Sequence, residues 1–204
     1  ERSLFKKCIK PGACVIDIGA NIGIYTRFLA DLVGTNGEVH AFEPHPDNFR
    51  RLQQQTQHLR QVKAHQKAIG NQTGASMLYL SNALNVDHRT YPTERARQAQ
   101  EIACIRLDDY FHGKRVDFIK MDIQGYEHAA LLGMEETLRH NANLRMVMEF
   151  WPYGLQQAGS DVQTVLALLR DCGFEMYLIV KNRIVQFDDG LITWAETDYY
   201  NLFV

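Results

Sequence analysis

Residues 15–23 read V-I-D-I-G-A-N-I-G, and this stretch decides the fold. It lies at the end of an apolar run, Ala13–Ile18, that is typical of a strand buried on both faces. The run that follows, Ile22–Val33, has apolar residues at helical spacing. Gly19 and Gly23 therefore lie in a strand-to-helix turn, where bare backbone N–H groups can approach a ligand closely.

The same alternation of strand and helix continues along the chain. It predicts an α/β fold with a mostly parallel, seven-stranded sheet and helices on both faces. Residues 81–101 are polar and poor in large apolar side chains, so we expect a flap or acceptor-side excursion within a single domain spanning residues 1–204. The further strands are predicted at Glu38–Phe42, Val62–Ile69, Val116–Met121, Leu144–Phe150, Phe174–Val180 and Tyr199–Val204, and the further helices at Pro46–Leu59, Tyr126–Leu132, Glu135–His140 and Asp161–Cys172.

The composition of the chain argues against some classes of binding partner. The chain has 204 residues and a formal net charge of −2, so it carries no global basic field that would hold nucleic acid or an anionic membrane. No apolar run has the length of a membrane span. The four cysteines share no C-x-x-C spacing, which favours buried reduced thiols and a cytoplasmic location.

Acidic residues stand at the predicted carboxyl ends of three strands: Asp17, Glu43 and Asp122. Ligands of open α/β sheets bind at that edge. The chain lacks the G-x-G-x-x-G spacing of dinucleotide-binding turns, and Asp17 would repel a pyrophosphate but attract an ammonium group. These features favour S-adenosylmethionine over NAD. Glu43 suits the two ribose hydroxyls of either cofactor.

Five motifs in this order, V-I-D-I-G-A-N-I-G-I-Y-T, A-F-E-P-H-P-D-N-F-R-R-L, R-L-D-D-Y, V-D-F-I-K-M-D-I-Q-G-Y-E and M-E-F-W-P, resemble the FkbM-type methyltransferases. The resemblance implies a class I, Rossmann-like fold with an antiparallel last strand, and S-adenosylmethionine as methyl donor. It also implies a hydroxyl acceptor, often on a sugar or a polyketide-type natural product. The cofactor positions that it implies are Asp17, Gly19, Asn21, Gly23, Thr26, Glu43 and Asp122.

Methyl transfer to a hydroxyl needs in-line positioning and a base for the hydroxyl proton. Asp122 and Glu127 flank a predicted strand-to-helix turn, and Glu149 lies near the end of an otherwise apolar strand. We predict that these three carboxylates include the catalytic groups. Trp151 and Tyr153 are candidates for an aromatic platform under the acceptor. No spacing among these residues requires a metal, and we predict none.

The sequence thus predicts an S-adenosylmethionine-dependent O-methyltransferase acting on a small-molecule or glycan acceptor with a free hydroxyl. Methylation of nitrogen or carbon is an alternative, although the tetrapeptide M-D-I-Q stands where an N-P-P-Y-type motif would mark amino-group methylation. Two different classes of protein also stay open: an NAD-dependent oxidoreductase and a non-catalytic Rossmann-like binding module.

Overall fold

The computed structural model describes residues 1–81, 96–181 and 183–204. These residues build an eight-stranded sheet, one strand more than the sequence predicts. The additional strand is the edge strand β10, whose four residues are half-buried or exposed and so lack an apolar signal. In sheet order the strands are β10 (Arg183–Gln186), β9 (Tyr177–Val180), β11 (Tyr200–Phe203), β8 (Arg145–Phe150), β7 (Phe118–Met121), β1 (Cys14–Ile18), β2 (Glu38–Phe42) and β3 (Val62–His65).

Strands β3, β2, β1, β7 and β8 are parallel, and β11 runs antiparallel to β8. The mostly parallel sheet with an antiparallel last strand is therefore confirmed. Strand β1 lies between β2 and β7, so the chain passes to one side of β1 first and to the other side later. That switch opens a crevice at the carboxyl ends of the parallel strands.

Helices cover both faces of the sheet. Neighbouring residues of β1 point to opposite faces and so show the two layers. Val15 packs with Phe5 and Leu29 on one face, whereas Ile16 belongs to the larger core on the other face, which includes Leu131. The helices are α1 (Arg2–Cys8), α2 (Ile24–Val33), α3 (Pro46–Thr56), α4 (Leu107–Phe111), α5 (Glu127–Leu132), α6 (Glu135–His140), α7 (Pro152–Gln157) and α8 (Val162–Asp171).

A second, three-stranded sheet has the order β4-β6-β5. Its strands are β4 (Ala68–Ile69), β5 (Gly74–Ser81) and β6 (Ala96–Ile105). The single strand predicted at Val62–Ile69 is thus wrong, since its first half joins the main sheet as β3 and its end joins the small sheet as β4. Residues 96–101 belong to β6, and residues 82–95 lie outside the described residues.

Candidate active site

A cavity of about 660 Å³ opens at the carboxyl ends of the central strands. This volume lies within the range of about 300–1,000 Å³ that is typical of small-molecule sites. Gly19 and Asn21 follow β1, Glu43 follows β2, Asp122 follows β7 and Glu149 belongs to β8, and all five line the cavity. The structure therefore brings together most of the residues that the sequence predicts for a ligand site.

The other four predicted residues, Asp17, Gly23, Thr26 and Glu127, do not line the cavity. Each is buried behind it. These four residues act on the site indirectly, through the neighbouring residues that they hold in place.

Two glycines in the turn after β1 each allow another part of the chain to pack closely against the turn backbone. Gly19 has φ of +75°, and a Cβ atom there would lie 1.9 Å from the backbone oxygen of Asp122. Gly23 has φ of +90°, and a Cβ atom there would lie 2.9 Å from the side chain of Leu52 in α3. Asn21 also adopts a left-handed conformation, with φ of +51°. Such backbone strain is concentrated at ligand sites.

Glu43 is held by two backbone donors. Its Oε2 accepts a hydrogen bond of 2.8 Å from Asn21 N, and its Oε1 accepts one of 2.9 Å from His45 N. Burial raises the pKa of Glu43 to about 7, although both hydrogen bonds favour the ionised form. Each carboxylate oxygen has further lone pairs, so the ionised group retains acceptor capacity for two ligand hydroxyls.

Asp17 is paired inside the protein. It is fully buried on the face of β1 that α2 covers, where Thr26 Oγ1 donates a hydrogen bond of 2.7 Å to Asp17 Oδ2. The ammonium of Lys120 lies 3.5 Å from Asp17 Oδ1. The two residues are register neighbours on β1 and β7. The negative charge of Asp17 is therefore already matched by a cation of the chain.

Lys120 is a site residue that the sequence did not lead us to predict, as are Gln124 and Tyr199. Its side chain is only 9% exposed, yet it lines the cavity and donates a hydrogen bond of 3.1 Å to the carbonyl oxygen of Gly19. Burial acts to lower the pKa of Lys120, but the nearby carboxylates of Asp17, Asp122 and Glu149 outweigh it and raise the pKa. A lysine inside the apolar run F-I-K-M was the available signal, because a lysine is almost never buried without a partner.

Three polar side chains form a cluster beside Lys120. Gln124 Nε2 donates hydrogen bonds to Asp122 Oδ1 at 3.1 Å and to Glu149 Oε2 at 2.7 Å. Burial, followed by the neighbouring carboxylates of Asp122 and Glu127, raises the pKa of Glu149 to about 9. Glu149 is therefore protonated at neutral pH. Gln124 adopts a left-handed backbone, with φ of +57°.

Glu127 shapes the loop that carries this cluster. Its Oε1 accepts hydrogen bonds of 3.1 Å from Gly125 N and 3.4 Å from Ile123 N. The residue is fully buried, and burial raises its pKa to about 7. It therefore acts on the loop backbone, as expected for a carboxylate in the first turn of a helix.

Neither ring of the predicted aromatic pair lines the cavity. Trp151 is fully buried, and its indole Nε1 donates a hydrogen bond of 3.0 Å to Glu196 O. The ring of Tyr199 stacks on Trp151 with 4.8 Å between centroids, is 46% exposed and lines the cavity. Tyr153 does not line it. Trp151 thus acts as the support, and Tyr199 presents the exposed ring.

Among the described residues, Asp122, Glu127 and Glu149 do not form a group close enough to share a metal ion. The group that is close enough, Cys14, Glu38 and His40, lies at the other end of the strands. Its carboxylate is already ion-paired with Lys63.

Structures of other proteins share this architecture. A proposed rRNA methylase from Clostridium thermocellum is 14% identical with a TM-score of 0.60, over 99% of this chain and 90% of that one. An S-adenosylmethionine-dependent O-methyltransferase from Thermotoga maritima is 16% identical with a TM-score of 0.53, over 99% of this chain and 63% of that one. Fibrillarin from Aeropyrum pernix, solved with bound S-adenosylmethionine, is 14% identical with a TM-score of 0.54, over 99% and 72%.

These likenesses define a Rossmann-like methyltransferase fold. The Methyltransferase FkbM domain matches residues 17–176, and the chain therefore belongs to the FkbM methyltransferase family. It is an S-adenosylmethionine-dependent methyltransferase. A comparison with curated proteins finds no match.

The cavity fits this cofactor. Ionised Glu43 suits a ribose diol, and the cavity also contains apolar wall residues, Ile69 and Leu78 from the small sheet, against which a base can pack. No described helix is both long and apolar enough to cross a bilayer.

Proposed function

We propose that this chain transfers a methyl group to a hydroxyl oxygen of a sugar, glycan or natural-product acceptor. The observation that carries the proposal is the cluster of Asp122, Gln124 and Glu149 on the cavity wall. A cluster that contains the protonated carboxyl group of Glu149 together with other carboxyl and amide oxygens can both donate and accept hydrogen bonds. That combination suits a neutral hydroxyl group.

The cofactor, when bound, supplies an electrophilic methyl group on a sulfonium. Glu43 would accept hydrogen bonds from the ribose hydroxyls, while Gly19 and Asn21 bring the turn backbone to the ligand. Asp17, Thr26 and Gly23 would support that turn from behind, as their burial indicates. Asp122 would serve both ligands, since it lies between the glycine turn and Glu149.

The proton of the acceptor hydroxyl would pass to the Asp122–Glu149 pair. Burial first of all raises the pKa of Glu149 to about 9, so Glu149 is already protonated at neutral pH, and we assign the role of base to Asp122. Gln124 holds the two carboxyl groups in one arrangement through its two donors. Glu127 fixes the loop that carries Asp122 and Gln124, so we propose a positioning role for it.

The acceptor chemistry follows from the same wall. Tyr199 offers an exposed ring face, backed by Trp151, on which a sugar or another ring can stack. The carboxyl groups beside it disfavour an anionic acceptor. Two proteins of similar fold are described as rRNA methylases, but the net charge of −2 gives this chain no general attraction to nucleic acid.

An acceptor screen tests the proposal. Purified protein with S-adenosylmethionine and hydroxylated sugars or polyketides should form methylated product. Asp122→Asn should lower the turnover rate by about 10²–10⁴-fold, which is the usual contribution of a general base, and Glu149→Gln should lower it less because Glu149 is already neutral. Affinity for S-adenosylhomocysteine should fall much less in Glu149→Gln. Glu136→Gln, on the distant helix α6, is the control and should leave turnover unchanged.

Unchanged turnover in both Asp122→Asn and Glu149→Gln would contradict the proposed proton path.

We further propose that residues 1–204 act as one methyltransferase domain. The four cysteines form no disulfide with one another, which supports a reducing, cytoplasmic location.

A further inference from the structure

Cys14, Glu38 and His40 lie together at the amino-terminal ends of β1 and β2, opposite the end that carries the cavity. Cys14 and Glu38 are the first residues of these two strands and are register partners. His40 follows Glu38 by two residues, so both side chains lie on the same face of β2. One potential ligand atom from each of the three residues lies within 4.8 Å of the other two. Thiolate, carboxylate and imidazole are the side-chain groups that bind zinc in proteins.

The spacing of the donor atoms suits a single small cation. His40 Nε2 lies 3.3 Å from Glu38 Oε2. Zinc binds nitrogen and oxygen ligands at about 2.0–2.2 Å in a tetrahedral arrangement, which places two such ligands about 3.3–3.5 Å apart. A sulfur ligand, with its bond of about 2.3 Å, lies slightly further from the other two. Small side-chain movements would therefore bring all three donors onto one ion, with the fourth position left for water.

The second ring nitrogen of His40 is held by a tyrosine of α4. The hydroxyl oxygen of Tyr110 lies 3.1 Å from His40 Nδ1 and 3.1 Å from His65 Nε2. The rings of His40 and His65 are nearly parallel, at 7° to each other, and Phe111 packs edge-on against His40. A metal-binding histidine almost always has its other nitrogen hydrogen-bonded, because this bond fixes the orientation of the ring. The surroundings of His40 thus hold Nε2 towards Glu38.

Glu38 gives the group access to solvent. Cys14 and His40 are buried, whereas the side chain of Glu38 is 41% exposed. Lys63 on β3 pairs with Glu38 Oε2, the same oxygen that faces His40. The side chain of Lys63 is 52% exposed, and an exposed ion pair contributes little to stability. A divalent cation can therefore take the place of the ammonium, which returns to solvent.

We propose that Cys14, Glu38 and His40 bind a zinc ion that joins β1 to β2. Binding converts the thiol of Cys14 to a thiolate, and the released proton passes to solvent. Thiolate and imidazole ligands favour zinc over Mg²⁺ and Ca²⁺. The role of the ion is structural, because the same two strands carry the Gly19 turn and Glu43 at their other ends. The proposal does not depend on the cofactor or on the acceptor of the methyl group.

Cobalt(II) tests the ligand set without turnover, because a cobalt–thiolate bond gives a charge-transfer absorption band in the near ultraviolet. Chelator-treated protein would be titrated with cobalt(II), and the cobalt then displaced by zinc to measure the affinity for zinc. The wild-type protein should develop the band up to one equivalent and lose it when zinc is added. Zinc at about 100 times its Kd should raise the midpoint of thermal unfolding by roughly 5–10 °C.

Four variants separate this site from binding elsewhere. Cys14→Ser should abolish both the band and the rise in the unfolding midpoint. Tyr110→Phe should keep the band but weaken the affinity for zinc about 10- to 100-fold, as expected for the loss of a hydrogen bond to a ligand. Lys63→Met removes the competing cation and should bind zinc more tightly. Cys172→Ser removes another half-buried thiol and, as the matched control, should behave as the wild type.

The outcomes decide the proposal. A wild-type protein that gives no charge-transfer band, or a band that persists in Cys14→Ser, would overturn the site. If Cys14→Ser fails to fold, Tyr110→Phe and Lys63→Met give the answer. An affinity for zinc that is unchanged in both of these variants would show that the metal binds elsewhere, and would overturn the site as well.

Discussion

At the scale of single residues, the protonation state of Glu43 makes ligand binding at the site depend on pH. Its carboxylate is held by the backbone N–H groups of Asn21 and His45, and burial raises its pKa to about 7. The group is therefore ionised above about pH 7 and protonated below it. A protonated carboxyl group accepts fewer hydrogen bonds, so it is a poorer partner for two ribose hydroxyls.

We accordingly expect the affinity for S-adenosylhomocysteine to fall roughly tenfold from about pH 8 to about pH 6, because the ionised fraction of Glu43 falls by that factor. Calorimetric titration at several pH values measures this. Glu43→Gln should bind more weakly and show no such fall, whereas Glu149→Gln should keep it. A wild-type affinity that is constant over this range would show that the ionisation of Glu43 does not control binding.

The sequence predicts the residues of this site better than it predicts their roles. Gly19, Asn21, Glu43, Asp122 and Glu149 do meet at one cavity, because the carboxyl ends of parallel strands share one edge. The pairing of Asp17 with Lys120 could not be predicted, since it depends on the register of β1 against β7, which are about a hundred residues apart in the chain.

At the scale of elements, the turn between β1 and α2 is fixed by a backbone approach. Gly19 combines a positive φ of +75° with a contact that would place a Cβ atom 1.9 Å from Asp122 O. Gly113 has a similar φ, +71°, but no atom within 4 Å of such a Cβ. Comparing alanine substitutions at Gly19 and Gly113 therefore separates the energetic cost of backbone strain from that of a steric clash.

Gly113→Ala should lower the free energy of unfolding by roughly 1–2 kcal/mol, the cost of a left-handed alanine. Gly19→Ala should lower it further and abolish binding of S-adenosylhomocysteine, because the ends of β1 and β7 must separate. Urea unfolding and calorimetry measure both effects. Equal stability of the two variants, with binding retained in Gly19→Ala, would contradict this account of the turn.

The elements that sequence patterns predict well are those with a single dominant period. Strand β2 and helix α6 begin and end where predicted, at Glu38–Phe42 and Glu135–His140. The small sheet was missed because β6 carries a polar, Gln- and Arg-containing sequence in its first half. The segment 62–69 contains no glycine or proline at the break between β3 and β4, so it gives no signal that the chain changes sheets.

At the scale of the whole molecule, the switch point beside β1 explains why cofactor and acceptor groups meet. The glycine turn and Glu43 lie on the side of β2, whereas Asp122 and Glu149 lie on the side of β7 and β8. One cavity of about 660 Å³ spans both sides. The alternation of strands and helices predicted this arrangement, but not the eighth strand, because the edge strand β10 has no buried face to impose a pattern.

Identifying the atom that receives the methyl group is the most direct test of the central claim. The protein would be incubated with S-adenosylmethionine carrying a ¹³C-labelled methyl group and with hydroxylated acceptors, and the product examined by NMR. The account predicts a labelled methyl group on oxygen, formed by the wild-type protein and strongly reduced with Asp122→Asn. A labelled methyl group on nitrogen or carbon would contradict O-methyl transfer as the function of this site.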